Sequence, residues 1–345
     1  MLDFSARLRL RQSTRLDSSA PSKRRVPRPN RRPVRPAAGR SSQQHQPSRR
    51  AIARGANPPL RARRPAIGGP AIVHRAYVGT SGWSYDGWRN SFYGGLRRSE
   101  WLEFCAERFT GIEVNATFYR LQSKATFRRW RETTPPWFRF AMKANHFLTH
   151  NKKLIDPLPA VRLERSRAAA LGRKLAVVVW QLPQHWHRNL ERLERFARAL
   201  HSWSEVRHAI EFRHPSWFDD EVAACLRRHH LAVCQSDAAD WPLWDAVTTD
   251  LVYVRLHGSA TTYASAYTDA QLRSWATRVR GWLQEGCDVH VYFDNDAFGH
   301  APRDALRLIA LLPHDDQRCE ANELRPRLHG RSRGRSTSLR SQHGC

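Results

Sequence analysis

Eight short runs dense in β-branched and aromatic residues recur between residues 77 and 294, separated by stretches with apolar residues at helical spacing. The runs are 77–81, 111–115, 138–143, 175–181, 208–213, 231–237, 251–257 and 288–294. Strands that are almost continuously apolar must be covered on both faces, and a helix after each strand supplies the crossover that parallel pairing needs. Eight such units within the 238 residues of 76–313 predict one α/β domain, a (β/α)8 TIM barrel, a fold that takes roughly 250 residues. An open doubly wound sheet is the alternative, but Gly79-Thr80-Ser81-Gly82 lacks the GxGxxG spacing of its phosphate turn.

The intervening stretches read as helices with one buried stripe. Leu190, Leu193, Phe196, Ala197 and Leu200 share a face, as do Leu272, Trp275, Ala276, Val279, Trp282 and Leu283. The second of these begins with Thr268 and Gln271 at capping-box spacing and stops at Gly286. Only the link around Trp241 to Trp244, between the sixth and seventh strands, lacks a full helix.

Charge divides the chain differently. Residues 1–75 carry 19 Lys and Arg against 2 acidic residues, 76–313 carry 32 against 25, and 314–345 carry 7 against 4. Most of the net charge of +27 therefore belongs to the flanks, and the middle has an ordinary globular balance. The flanks, rich in Arg, Pro, Ser and Gly, bury too little apolar surface to offset their ordering entropy and are expected to be disordered. Residues 1–75 read as an electrostatic arm for nucleic acid, an Arg-rich presequence, or an extension from a misplaced start. Any nucleic-acid contact is expected through that segment alone, with Trp83, Trp88 and Trp217 as the stacking alternative within the barrel. Six scattered cysteines show no CxxC pair and read as reduced thiols. No apolar stretch approaches the roughly 20 residues of a membrane span, so a cytoplasmic protein is expected.

A TIM barrel carries its active site where the carboxyl ends of its strands converge. Here those ends hold Ser81 and Trp83; Glu113 and Asn115; Lys143, Asn145 and His146; Gln181; Glu211, Arg213 and His214; Asp237; Arg255 and His257; and Asp294 and Asn295. Residues two apart in a strand share a face. Val252, Val254 and Leu256 form the apolar face of the seventh strand, so Tyr253, Arg255 and His257 should face the barrel axis, and Glu211 with Arg213 likewise. Ionised groups gathered in an interior must be paired, although Glu211 and Arg213 could simply neutralise each other.

In order and spacing, Gly79-Thr80-Ser81-Gly82-Trp83-Ser84-Tyr85, Glu113-Val114-Asn115-Ala116-Thr117-Phe118-Tyr119, Gln181-Leu182-Pro183, Glu211-Phe212-Arg213-His214, Tyr253-Val254-Arg255-Leu256-His257-Gly258 and Tyr292-Phe293-Asp294-Asn295 resemble the YecE-like proteins, domain of unknown function 72. The resemblance covers about residues 76–313 and implies a TIM barrel, but no settled reaction. Gln184 stands where the family usually has a second proline, and Asp294 where asparagine is common, which adds negative charge at the mouth.

The leading expectation is an enzyme acting by acid/base chemistry on an anionic or polar small substrate. Lys143, Arg213 and Arg255 would hold its oxygens, since Arg offers a charge-assisted fork. Glu113 or Glu211 would be the base, with a carboxyl raised by burial beside another, and His257 the acid. Trp83, Asn115, Gln181, His214, Asp237, Asp294 and Asn295 complete the binding set. No cofactor is expected. A divalent metal on Glu113, Glu211, Asp237 and His257, as in isomerase or phosphodiesterase barrels, ranks lower because nearby Arg and Lys repel a cation. A glycosidase needs a carboxylate separation that sequence does not give. His185, His187, His229 and His230 have no triad or metal-ligand spacing and read as surface residues, and neither a Walker loop nor a GxSxG elbow is present.

Overall fold

The computed structural model describes residues 75–312. Apart from Arg75, the basic segments expected to be disordered lie outside the described residues.

The strands are β1 (Ala76–Thr80), β2 (Gly111–Val114), β3 (Arg139–Lys143), β4 (Leu175–Gln181), β5 (Arg207–Glu211), β6 (Ala232–Asp237), β7 (Leu251–Leu256) and β8 (Asp288–Phe293). They form one eight-stranded sheet in which β1 pairs with β8, β8 with β7, and so on down to β2, with every pairing parallel. Each strand falls within two residues of its sequence-based bounds.

The ring closes between β1 and β2. Ser81 bridges Glu113, the Gly82 amide donates to the Glu113 carbonyl at 2.7 Å, and the Thr110 amide donates to the Val78 carbonyl at 3.1 Å. Gly79 makes that seam possible, because a Cβ there would stand 2.0 Å from the Gly111 carbonyl oxygen.

Between the strands lie α1 (Trp101–Arg108), α2 (Lys124–Thr133), α3 (Pro157–Ala168), α4 (Leu190–Leu200), α5 (Asp220–Arg228) and α6 (Asp269–Gln284), and α7 (His300–Ala310) follows β8. In α4 the stripe of Leu193, Phe196, Ala197 and Leu200 is buried, and the Asn189 side chain caps the helix by accepting from the Arg192 amide at 2.9 Å. Burying a Leu or Phe of this kind contributes about 1.5–3 kcal/mol. The capping box of α6 forms as read, with the Thr268 hydroxyl accepting from the Gln271 amide and Gln271 accepting from the Thr268 amide. No helix joins β6 to β7, and Trp241 of that link is buried instead.

Strand alternation sorts two cores. Outward residues such as Ile112, Val178, Ile210, Val254 and Val291 pack under the helices. Inward residues Ala141, Val177, Val179, Ala209, Cys234, Tyr253 and Tyr292 fill the barrel itself. The next inward position on most strands carries a polar or charged side chain, and those residues make the floor of the mouth.

Candidate active site at the barrel mouth

Arg255, three residues after Val252 on β7, is completely buried and organises this floor. Its Nε donates to Glu113 Oε2 at 3.0 Å and its Nη2 to Glu113 Oε1 at 2.8 Å. Nη1 donates to Glu211 Oε2 at 2.9 Å, and Nη2 also reaches Asp294 Oδ2 at 3.0 Å. One guanidinium thus holds three carboxylates from β2, β5 and the end of β8, an arrangement that the planar fork of Arg permits and a Lys does not. Ser81 and Tyr253 add hydroxyl donors to Glu113, the latter at 2.6 Å. Glu211 Oε1 accepts from Arg213 Nε at 2.8 Å and from Ser236 Oγ at 3.2 Å. Every carboxylate in the cluster is paired with an arginine.

These contacts settle the protonation of two acids. Burial would raise the Glu211 carboxyl, but the Arg213 and Arg255 guanidiniums overcome it and hold the group well below the usual carboxylate range. Asp294 is likewise lowered against its burial, by Arg255 and the His257 ring. The expectation of a raised, base-like carboxyl is therefore corrected for Glu211, because the burial that would raise it is outweighed by the two arginines paired with it.

His257 is fully buried behind this network. Its Nε2 lies 3.3 Å from Arg255 Nη1, and its Nδ1 lies 3.0 Å from Asp294 Oδ2 without hydrogen-bond alignment.

Above the floor the picture changes. Lys143, at the end of β3, is 5% exposed, and its Nζ sits 4.0 Å from the Phe118 ring centroid. Among the described residues no carboxylate lies within 4.0 Å of it and it donates no hydrogen bond. Burial, reinforced by Arg255, pushes its amine down to about 8. The Phe118 ring also meets His146 and His150, at centroid distances of 5.5 and 5.1 Å. Burial and the charges of Lys143 and Arg213 lower His150 to about 4, so that ring is neutral near pH 7. His146 caps and His150 lies within a π-helical turn, Phe147–Asn151, a local irregularity that recurs at functional sites.

Arg213 lies 4.1 Å over the Trp241 ring and donates from Nη1 to the Tyr263 hydroxyl at 3.2 Å. Tyr263 itself holds a positive φ of 66°, a strained backbone for a bulky residue. The Gln181 side chain points inward at the end of β4 and forms no hydrogen bond with another described residue, and Asn115 Oδ1 is buried without a partner.

The expected site residues thus fall into three groups. Glu113, Glu211, Arg255 and His257 are fully buried in the floor. Lys143, Gln181, Arg213 and Asp294 keep 5–9% exposure above it, with half-buried Asn115 beside them. Trp83, His214, Asp237 and Asn295 are not in the cluster. Trp83 packs edge-on to Trp130; His214 caps the turn at Pro215–Trp217 and lies against His187. Asp237 is corrected from inward to outward: Cys234 and Ser236 take the inner positions of β6, and the Asp237 carboxylate accepts from the Tyr267 hydroxyl at 2.8 Å. Asn295 follows inward Asp294, so it faces the other way and donates to Asp304 and the Ser265 carbonyl. Ser236 was legible from the alternation of β6; Phe118, Trp241 and Tyr263 carried no local signal, because loops bring them in.

A family model described as "Protein of unknown function DUF72" matches residues 77–329. The UPF0759 protein YunF of Bacillus subtilis (strain 168) is 23% identical over 269 residues, which is 68% of this chain and 94% of that protein. The UPF0759 protein YecE of Escherichia coli (strain K12) is 30% identical over 143 residues, 41% of this chain and 50% of the relative. Among solved structures, a DUF72 family protein from Thermotoga maritima MSB8 superposes with a TM-score of 0.62 at 26% identity, covering 69% of this chain and 99% of that one. Another, from Enterococcus faecalis V583, gives 0.61 at 20% identity over 70% and 97% of the two chains, a likeness of fold.

Proposed function

The chain belongs to the family described as protein of unknown function DUF72, and from that premise we propose that it is an enzyme that binds a small anionic substrate between Lys143 and Arg213. The observation that carries this reading is Lys143, a buried ammonium with no carboxylate within 4.0 Å among the described residues. Burying an unpaired ammonium costs several kcal/mol, and clefts that retain such groups are where perturbed side chains serve function. A phosphate or carboxylate oxygen would supply the missing partner. The free donors of Arg213 and the side-chain amide of Gln181 would complete its hydrogen bonds.

The chemistry follows from which groups can exchange a proton. An amine held at about 8 passes between its two forms close to neutral pH, the condition for efficient acid/base catalysis. Glu211 and Asp294, held ionised, lack that range. Lys143, protonated while it pairs with the bound anion, therefore serves as the proton donor, and Glu113, Glu211, Arg255 and His257 act beneath it as a fixed electrostatic floor.

The test is a thermal-shift screen of phosphate esters and small carboxylates against the wild type and Lys143→Met, followed by turnover assays on the hits. Anions that stabilise the wild type alone, and are turned over by it alone, support the reading. Equal stabilisation of both proteins, or hits confined to uncharged compounds, overturns it. No helix among the described residues is long and apolar enough to cross a membrane.

A further inference from the structure

A second chemical cluster lies in the outer helical layer, where α4 meets α5. Glu194 comes from α4; Cys225 and His229, four residues apart, come from the last turn of α5 and its C-cap. Residues at that spacing share one face of a helix. Glu194 divides its two oxygens between them. Oε2 accepts from Cys225 Sγ at 3.1 Å, and Oε1 lies 2.8 Å from His229 Nε2. One donor atom from each of the three residues falls within 4.8 Å of the others.

We infer that Glu194, Cys225 and His229 form a zinc(II) site that clamps α4 to α5. A sulfur, an imidazole nitrogen and a carboxylate oxygen are the donors this ion takes, and three protein ligands leave its fourth position to water. Zinc–ligand bonds of roughly 2.0–2.3 Å in tetrahedral geometry set the donors about 3.3–3.6 Å apart. His229 Nε2 and Glu194 Oε1, now 2.8 Å apart, need to open by only about 0.5 Å to admit the ion, and the ligand atoms of all three residues already lie within 4.8 Å of one another. On binding, the Cys225 proton leaves Sγ for bulk water as the metal–sulfur bond forms, and His229 ligates as the neutral ring through the Nε2 lone pair, a proton held on Nε2 beforehand passing by way of water to Nδ1.

Surrounding residues fit this arrangement. His229 Nδ1 lies 3.1 Å from His201 Nε2, so that with a metal on Nε2 the other nitrogen has an acceptor that fixes its tautomer and ring plane. Arg228 holds Glu194 Oε2 at 2.9 Å, which leaves Oε1 as the ligating oxygen. Arg198 lies 3.6 Å from that oxygen. Both guanidiniums oppose a cation, and both favour the thiolate and carboxylate that carry two negative charges toward it. The Cys225 thiol is buried, while the Glu194 and His229 side chains keep 25% and 10% exposure, which gives the ion access from solvent.

Cobalt(II) reports the geometry directly, because a bound thiolate gives a sulfur-to-metal charge-transfer absorption and a tetrahedral site gives intense visible bands. The full chain, stripped with chelator and titrated with cobalt(II) and then zinc(II), is expected to show both bands, with zinc displacing cobalt at one equivalent. Cys225→Ala should abolish the charge-transfer band, and His229→Asn should weaken cobalt binding at least tenfold. A folded wild type with no charge-transfer band, or a band that survives in Cys225→Ala, overturns the proposal. Since Cys225→Ala could unfold, Glu194→Gln provides a second variant: it keeps the hydrogen-bonding shape, and zinc should raise the melting temperature of the wild type but not of Glu194→Gln. Equal zinc stabilisation of the two also overturns the site.

Discussion

Arg255 and Glu113 meet across the barrel, from strands separated in the ring by β8 and β1, through two parallel hydrogen bonds of 3.0 and 2.8 Å. Because the same guanidinium also holds Glu211 and Asp294, its removal leaves three buried carboxylates without their shared counter-ion. Arg255→Met is expected to lose about 3–5 kcal/mol in urea denaturation, and Arg255→Lys to recover little of it, since one ammonium cannot reproduce the fork.

The two proteins should also respond to acid in opposite directions. In the wild type Glu211 and Asp294 are depressed, so their contribution is fully present above the unfolded carboxylate value of about 4 and is lost as pH falls toward the folded values. In Arg255→Met the crowded carboxylates favour protonation, and stability should rise as pH falls from neutrality toward about 4. Urea midpoints measured across that range distinguish the two slopes.

Lys143 carries the reverse liability. Its folded amine, near 8, lies below the unfolded value of about 10.4. The cost of the buried charge is thus fully present below about 8 and disappears as pH rises through the unfolded value. Lys143→Met is expected to be more stable than the wild type at neutral pH, by at most about 3 kcal/mol, while losing activity. That is the trade expected where a site holds a strained group for function. A melting temperature below that of the wild type counts against this reading of Lys143.

Glu164, on α3, gives a third test. It is 4% exposed, accepts from the Asn145 amide at 3.1 Å, and is raised by burial to about 8. A carboxyl raised above its unfolded value of about 4.3 stabilises fully below that value and loses its contribution as pH rises through the folded one. Glu164→Gln keeps an acceptor for Asn145 without the titration. Its stability should therefore exceed that of the wild type at about pH 8 and converge with it near pH 4.

The barrel was legible because its signals are local and repeated. Val252, Val254 and Leu256 alternate with Tyr253 and Arg255 along β7, and that period of two survives folding unchanged. The same rule places Glu113, Lys143, Glu211 and Arg255 together, and misplaces Asp237 only where parity was not carried through from Cys234. Loop residues escaped it. Phe118 sits in a single helical turn, Ala116–Tyr119, and Trp241 in the helix-free link, and nothing in their own neighbourhoods reveals that one lies under Lys143 and the other under Arg213. The Glu194, Cys225 and His229 cluster escaped for a related reason: Cys225 and His229 stand four residues apart, but their carboxylate comes from a different helix, and His229 is half-buried rather than a surface residue.

Calorimetric titration of inorganic phosphate into the wild type and Lys143→Met, from neutral pH to about pH 10, tests most directly whether the mouth holds an ammonium waiting for an anion. Wild-type binding is expected to weaken about tenfold per pH unit above about 8 and to be lost in Lys143→Met. Affinity that is flat across that range and retained by Lys143→Met would contradict that role.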